Sequence, residues 1–151
     1  MNKTNRYERL YHQIADQLKT SNDLIANMAT ALAVLHHKMP YFFWTGFYRM
    51  IDGELIVGPY QGPVACIHLE KGQGVCWAAV NKQESIIVPD VHKFPGHIAC
   101  DSRSNSEIVV PLKNNKGNVI AVLDVDSKDF NSFDVDDARG LEKILGLLNK
   151  E

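Results

Sequence analysis

Asp52-Gly53 stands between two runs, FFWTGFYRM and ELIVGPY, that are rich in aromatic and β-branched residues. A dipeptide of this kind between such runs predicts a tight hairpin turn, and it commits the middle of the chain to a sheet. What precedes it has a different period. Residues 5–19 carry Tyr7, Leu10, Tyr11, Ile14 and Leu18 at helical spacing. A second helix, capped by Ser21 or Asn22, repeats Leu24, Ile25, Met28, Leu32 and Leu35 at three and four, and Pro40 bars its continuation.

After the hairpin, CIHL reads as a short strand, and Gly72 and Gly74 open a helix, VCWAAVNK. SIIVP is a buried strand that Pro89 ends. Residues 89–105 have no clear period, and their aromatic and aliphatic content suits an ordered, functional loop. EIVVPL and VIAVLDVD follow as strands joined by KNNKGN. A last helix, capped by Ser132 or Asp134, lines up Leu141, Ile144, Leu145 and Leu148. This order implies an α+β domain, its central sheet mainly antiparallel, with N- and C-terminal helices packed on one face. At 151 residues the length suits one domain, 1–151, with one core.

Charge narrows the partners. A net charge of -2 with no basic excess argues against nucleic acid and anionic membrane. No apolar run is long enough to cross a bilayer. MNKTNRYERLYHQ lacks the apolar segment of a secretory signal, so a cytoplasmic location is expected.

Three cysteines, Cys66, Cys76 and Cys100, are an odd number for a static disulfide framework. With His68, His92 and His97 they could ligate zinc, yet there is no CxxC, and Cys66-x-His68 and His97-x-x-Cys100 match no common structural spacing. They could also be small core residues. A redox thiol needs a thiolate and access. Cys100, in the polar run HIACDSRSNSE, fits best, and both Cys66 and Cys76 are available to resolve an oxidised form.

Asp124 and Asp126 are two apart at the end of an apolar strand, so they share a face. Glu107 opens the preceding strand. If the two pair as a hairpin, three acids meet at one mouth of the sheet, where mutual repulsion and burial raise at least one pKa. The same spacing also suits a solvated strand end. Trp44 and Tyr48 share a face and can wall an apolar pocket, or simply pack the core.

WTGFY, GPYQGPVACI, KGQGVC, VPDVHKFPGHIACDSRSNSEIVVPL, VLDVDS and SFDVDDARGLE together resemble the free methionine-(R)-sulfoxide reductases, each a single GAF domain. The likeness runs from about Trp44 to Leu141. It implies that Cys100 attacks the sulfoxide sulfur, that Cys66 resolves the product as a disulfide, and that Cys76 can join in recycling. It implies that Glu107, Asp124 and Asp126 surround the substrate and that Trp44 and Tyr48 face its methyl group. Thioredoxin as reductant and a homodimer are implied in the same way, and no cofactor or metal is expected. Two positions depart from the pattern. Trp77 stands where family members have glycine, and is expected to alter the start of the helix or narrow the approach to the site. Pro63 lies in GPVAC, where the family pattern places its proline differently, and is expected to shift the loop carrying Cys66. Rival expectations are a GAF ligand sensor without catalysis, a zinc or thiol-redox switch, and a reductase for protein-bound methionine sulfoxide.

Overall fold

The computed structural model describes residues 1–97 and 100–150. Its helices are α1 (Lys3–Gln17), α2 (Leu24–Lys38), α3 (Gly74–Lys82) and α4 (Val135–Leu145). Its strands are β1 (Trp44–Ile51), β2 (Glu54–Gln61), β3 (His68–Leu69), β4 (Ile86–Val88), β5 (Ser106–Lys113) and β6 (Val119–Ser127). The strands form one sheet in the order β3-β2-β1-β6-β5-β4. Every pairing in it is antiparallel.

The hairpin at Asp52-Gly53 joins β1 and β2 with Ile51 opposite Glu54. Both turn residues have positive φ, 50° and 80°, as this tight turn requires. Glycine meets that demand without a Cβ penalty.

Strand alternation divides the sheet into two faces. Phe47, Ile108, Val110, Leu112, Ala121, Leu123 and Val125 point to one face, where α1, α2 and α4 cover them with Leu10, Ile14, Leu32, Leu35, Leu141 and Ile144. Trp44, Tyr48, Val88, Val109 and Val122 point to the other, under α3 and its Val75, Cys76, Trp77 and Ala79. The terminal helices therefore share one face, as the order of periods implies. Gly140 permits their close approach, because a Cβ there would collide with the Tyr7 ring.

One buried carboxylate locks these helices. Asp137 is fully buried. Its Oδ1 accepts from the Tyr7 hydroxyl at 2.7 Å and from the Tyr41 hydroxyl. Its Oδ2 accepts from Lys3 Nζ at 2.6 Å and from the Asp134 amide at 2.8 Å. Asp137→Ala takes a partner from all four donors, of which Lys3 keeps the Ser132 carbonyl and Asp134, and is expected to cost about 3 kcal/mol. A urea midpoint that drops at unchanged slope checks this.

Two local expectations need correction, and one alternative is decided. The α2 cap is Asp23, whose carboxylate accepts from the Ala26 amide, whereas Ser21 Oγ accepts from the Asp23 amide. Asp134 caps α4, while the Ser132 hydroxyl pairs with Ser127 at 2.6 Å. CIHL is a strand only at His68–Leu69. The Cys66 carbonyl leaves the ladder to accept from the Tyr48 hydroxyl at 3.0 Å.

Candidate active site

The α3 face of the sheet holds a pocket, partly open to solvent. Pairing builds its wall. On the β5–β6 hairpin Glu107 lies opposite Asp126, and Val109 opposite Asp124. On the other side of β6, Trp44 lies opposite Asp126 and Gly46 opposite Asp124. All three acids, with Trp44 and Tyr48, line the pocket. The conditional expectation of a shared acidic mouth is met because the hairpin pairs in the register that puts odd-numbered β5 residues and even-numbered β6 residues on one face.

Gly46 keeps this wall flat. A Cβ there would collide with the Trp44 ring and with Tyr60 Cβ. The Trp44 ring therefore lies across Gly46. It stacks on Tyr48 at 5.9 Å and on Tyr60 at 5.3 Å. Tyr60 lies in the run ELIVGPY, which the sequence marks as a strand without singling out this ring.

Glu107 and Asp124 are buried, and Asp126 keeps some accessible surface. Glu107 is held well above the usual carboxyl range, first by burial, then by repulsion from Asp124 and Asp126, and by hydrogen bonds in which it is the donor. Asp126 is raised well above its ordinary value by loss of water and by Asp124 and Asp101. Burial also raises Asp124, but the hydrogen bonds it accepts from Glu107 and Cys76 pull it back. Glu107 and Asp126 are thus biased towards the protonated form, and Asp124 least so. The Asp124 Oδ1 atom is buried without a hydrogen-bond partner among the described residues. A buried acceptor left open in a pocket lining is a site for a donor on a ligand.

The cysteines divide into a pair and a single thiol. Cys66 and Cys100 form a disulfide with Cα atoms 5.6 Å apart. Cys100 is exposed and Cys66 half-buried, so the bond is within reach of a reductant. Cys76 is free and buried on α3, its thiol pushed up first by burial and then by the acids. It lines the same pocket, and its sulfur lies within 4.8 Å of carboxyl oxygens of Glu107 and Asp124. Distance alone lets that trio surround a small cation. The zinc set weighed from sequence is not assembled, because Cys66 and Cys100 are bonded to each other and His92 pairs with Asn105 at 2.9 Å.

Gln73, Asp101 and Ser104 also line the pocket and escape sequence reasoning. They sit on irregular backbone, where no period marks a face. Gln73 had one signal, the glycines on either side, which have φ of 78° and 83°. His97, considered only as a zinc ligand, is another lining residue, and burial lowers its pKa. Its imidazole is therefore biased towards the neutral form.

Trp77 does not act as expected. The helix opens at Gly74, and Trp77 points away from the pocket lining into the core, where its indole Nε1 donates to the Leu69 carbonyl at 3.2 Å. Pro63 does sit in the loop before Cys66, and its carbonyl accepts from Trp44 Nε1 at 3.0 Å.

Comparison with known proteins places this geometry. The GAF domain family model matches residues 23–148. GAF domain-containing protein A of Dictyostelium discoideum is 50% identical over 148 residues, covering 97% of this chain and 92% of that protein. The free methionine-R-sulfoxide reductase of Escherichia coli (strain K12) is 40% identical over 150 residues, covering 99% and 90%. The structure of free methionine-R-sulfoxide reductase from Neisseria meningitidis in complex with its substrate superposes with a TM-score of 0.93 at 40% identity, covering 99% of this chain and 90% of that one.

Proposed function

The chain belongs to the free methionine-R-sulfoxide reductases of the GAF-domain family, and we propose that it reduces free methionine-R-sulfoxide to methionine through Cys100. The observation that carries this reading is the accessible Cys66–Cys100 disulfide beside a pocket that also presents three carboxyl groups and two stacked rings.

Starting from the reduced enzyme, the Cys100 thiolate attacks the sulfoxide sulfur. Sulfoxide oxygen leaves poorly until protonated, and Glu107, which keeps its proton by burial and charge repulsion, supplies it. The S–O bond breaks, the oxygen passes to Cys100 as a sulfenic hydroxyl, and methionine leaves with the sulfur lone pair. Cys66 then attacks the sulfenic sulfur, the S–S bond forms, and hydroxide leaves as water. Two electrons have moved from two thiols to one sulfoxide. The dithiol of thioredoxin restores both cysteines by exchange. The disulfide form described above is the end of this sequence, before thioredoxin acts.

The remaining groups bind. The open Asp124 oxygen accepts from the substrate ammonium, and Trp44 and Tyr48 face the methyl group. Peptide-bound methionine sulfoxide lacks that free ammonium when its nitrogen is acylated and leaves the buried carboxylate unpaired, which favours the free amino acid. Cys76 stays a thiol and donates to Asp124. We read the chain as one GAF domain that works as a homodimer in the cytoplasm. Sedimentation tests the dimer.

The test couples NADPH oxidation to thioredoxin and thioredoxin reductase, with free methionine sulfoxide supplied as the R or the S epimer. Turnover of R alone is expected. Activity with dithiothreitol but not thioredoxin would move the fault to recycling. Inactivity with both reductants would reject the catalytic role and favour the ligand-sensor alternative.

A further inference from the structure

We propose that Trp77 is a positioning residue for the second half of the reaction, holding the segment that carries Cys66 within bonding reach of Cys100. This rests on the proposed function. The segment leaves β2 at Gln61 and ends at the two-residue strand β3. That strand is registered on β2 by two residue pairs, Leu55 with Leu69 and Ile56 with His68, with one further bond from the Val57 amide to the Ile67 carbonyl. So short an edge strand holds weakly by itself.

Side-chain donors supply what the ladder lacks. Trp44 Nε1 holds the Pro63 carbonyl, the Tyr48 hydroxyl holds that of Cys66 itself, and Trp77 Nε1 holds that of Leu69. Trp44 and Tyr48 belong to the pocket wall. Trp77 comes from α3, does not line the pocket, and is buried at 4% exposure. It is the clasp whose own side chain lies outside the pocket lining, although Leu69, which it holds, is a lining residue. Among the described residues Trp77 is the side-chain donor to the Leu69 carbonyl. Leu69 lies three positions after Cys66, with the Ile67 carbonyl between them held by the Val57 amide at 2.8 Å, so Trp77 acts on the far end of a short, tethered segment.

Trp77→Phe removes the donor and keeps an aromatic ring. In a single turnover of the reduced enzyme without external reductant, the yield and rate of methionine are expected to match wild type. Disulfide formation, read by alkylation and peptide mass, is expected to slow about three- to tenfold, the factor that corresponds to one neutral hydrogen bond. Dimedone-trapped sulfenic acid on Cys100 is expected to rise in step. A role in packing alone would not split the two rates. Disulfide formation as fast as wild type overturns the proposal, and so does an equal fall in both rates.

If wild type itself yields no methionine, the functional reading fails, but the clasp remains testable. The Cys66–Cys100 dithiol–disulfide equilibrium is then measured against glutathione. In Trp77→Phe it is expected to move toward the dithiol by a similar factor, and an unmoved equilibrium rejects the clasp. Tyr48→Phe, which frees the Cys66 carbonyl, is the second variant for this equilibrium should Trp77→Phe fold poorly, and it is expected to move the same way.

Discussion

Serine in place of Cys100 is expected to lower methionine formation from free methionine-R-sulfoxide by at least about 10³-fold, with thioredoxin and with dithiothreitol alike. The hydroxyl is a far weaker nucleophile than a thiolate, and the pocket offers no substitute. Cys66 is not among the residues that line it. Cys76 is kept protonated by burial and by the acids. Cys66→Ser should behave differently. It should release one equivalent of methionine, halt with thioredoxin, and continue with dithiothreitol, which reduces the sulfenic acid directly. Chromatographic assay of methionine with each reductant separates the two variants. An active Cys100→Ser enzyme would move the nucleophile to Cys76 or Cys66 and undo the mechanism.

Glu107→Gln is expected to slow the first chemical step by about 10²-fold or more, the usual weight of a positioned general acid. Stopped-flow single turnovers over pH should show a second effect. In wild type the rate falls on the alkaline side, as Glu107 passes through its raised pKa and loses the proton it must donate. In Glu107→Gln that limb should vanish. Wild-type stability falls with rising pH as well. Between the unfolded carboxyl range near about 4 and its folded value, Glu107 binds a proton in the native state that the unfolded chain has lost. Stability therefore declines as pH rises through this window, and the glutamine variant lacks that decline. Its melting temperature should stand above wild type at alkaline pH by a few degrees, given roughly 2–4 °C per kcal/mol for a domain of this size. A variant that keeps both the rate and the alkaline limb would transfer the proton to Asp126, the other acid held well above its ordinary value.

Sequence made some of this legible and hid the rest for physical reasons. The hairpin was readable because Asp52-Gly53 has few backbone options. The shared face of Asp124 and Asp126 followed from the strand period of two, and the place of Glu107 from pairing alone. The segment around Gln73, Asp101 and Ser104 has no period, and its side chains meet only because distant strands bring the loops together. The helix cap at Asp23 was missed because Ser21, Asn22 and Asp23 are all good caps, and only tertiary context decides among them. Trp77 was read by bulk, and nothing local foretells that its indole nitrogen finds the Leu69 carbonyl. The pairing of Cys66 with Cys100 came through resemblance, since spacing left Cys76 equally open.

The two-faced sheet has a consequence for how such a site can change. Asp124 and Asp126 alternate with Leu123 and Val125, which anchor the opposite core. Substitution can therefore rewrite the acids while the foundation of helices stays intact. Insertion or deletion of one residue within β6 has no such freedom. It would swap the two sets at a stroke, turning carboxylates into the oily layer and aliphatics into the pocket. The lineage of such proteins can experiment with spelling in this strand but not with its reading frame of two.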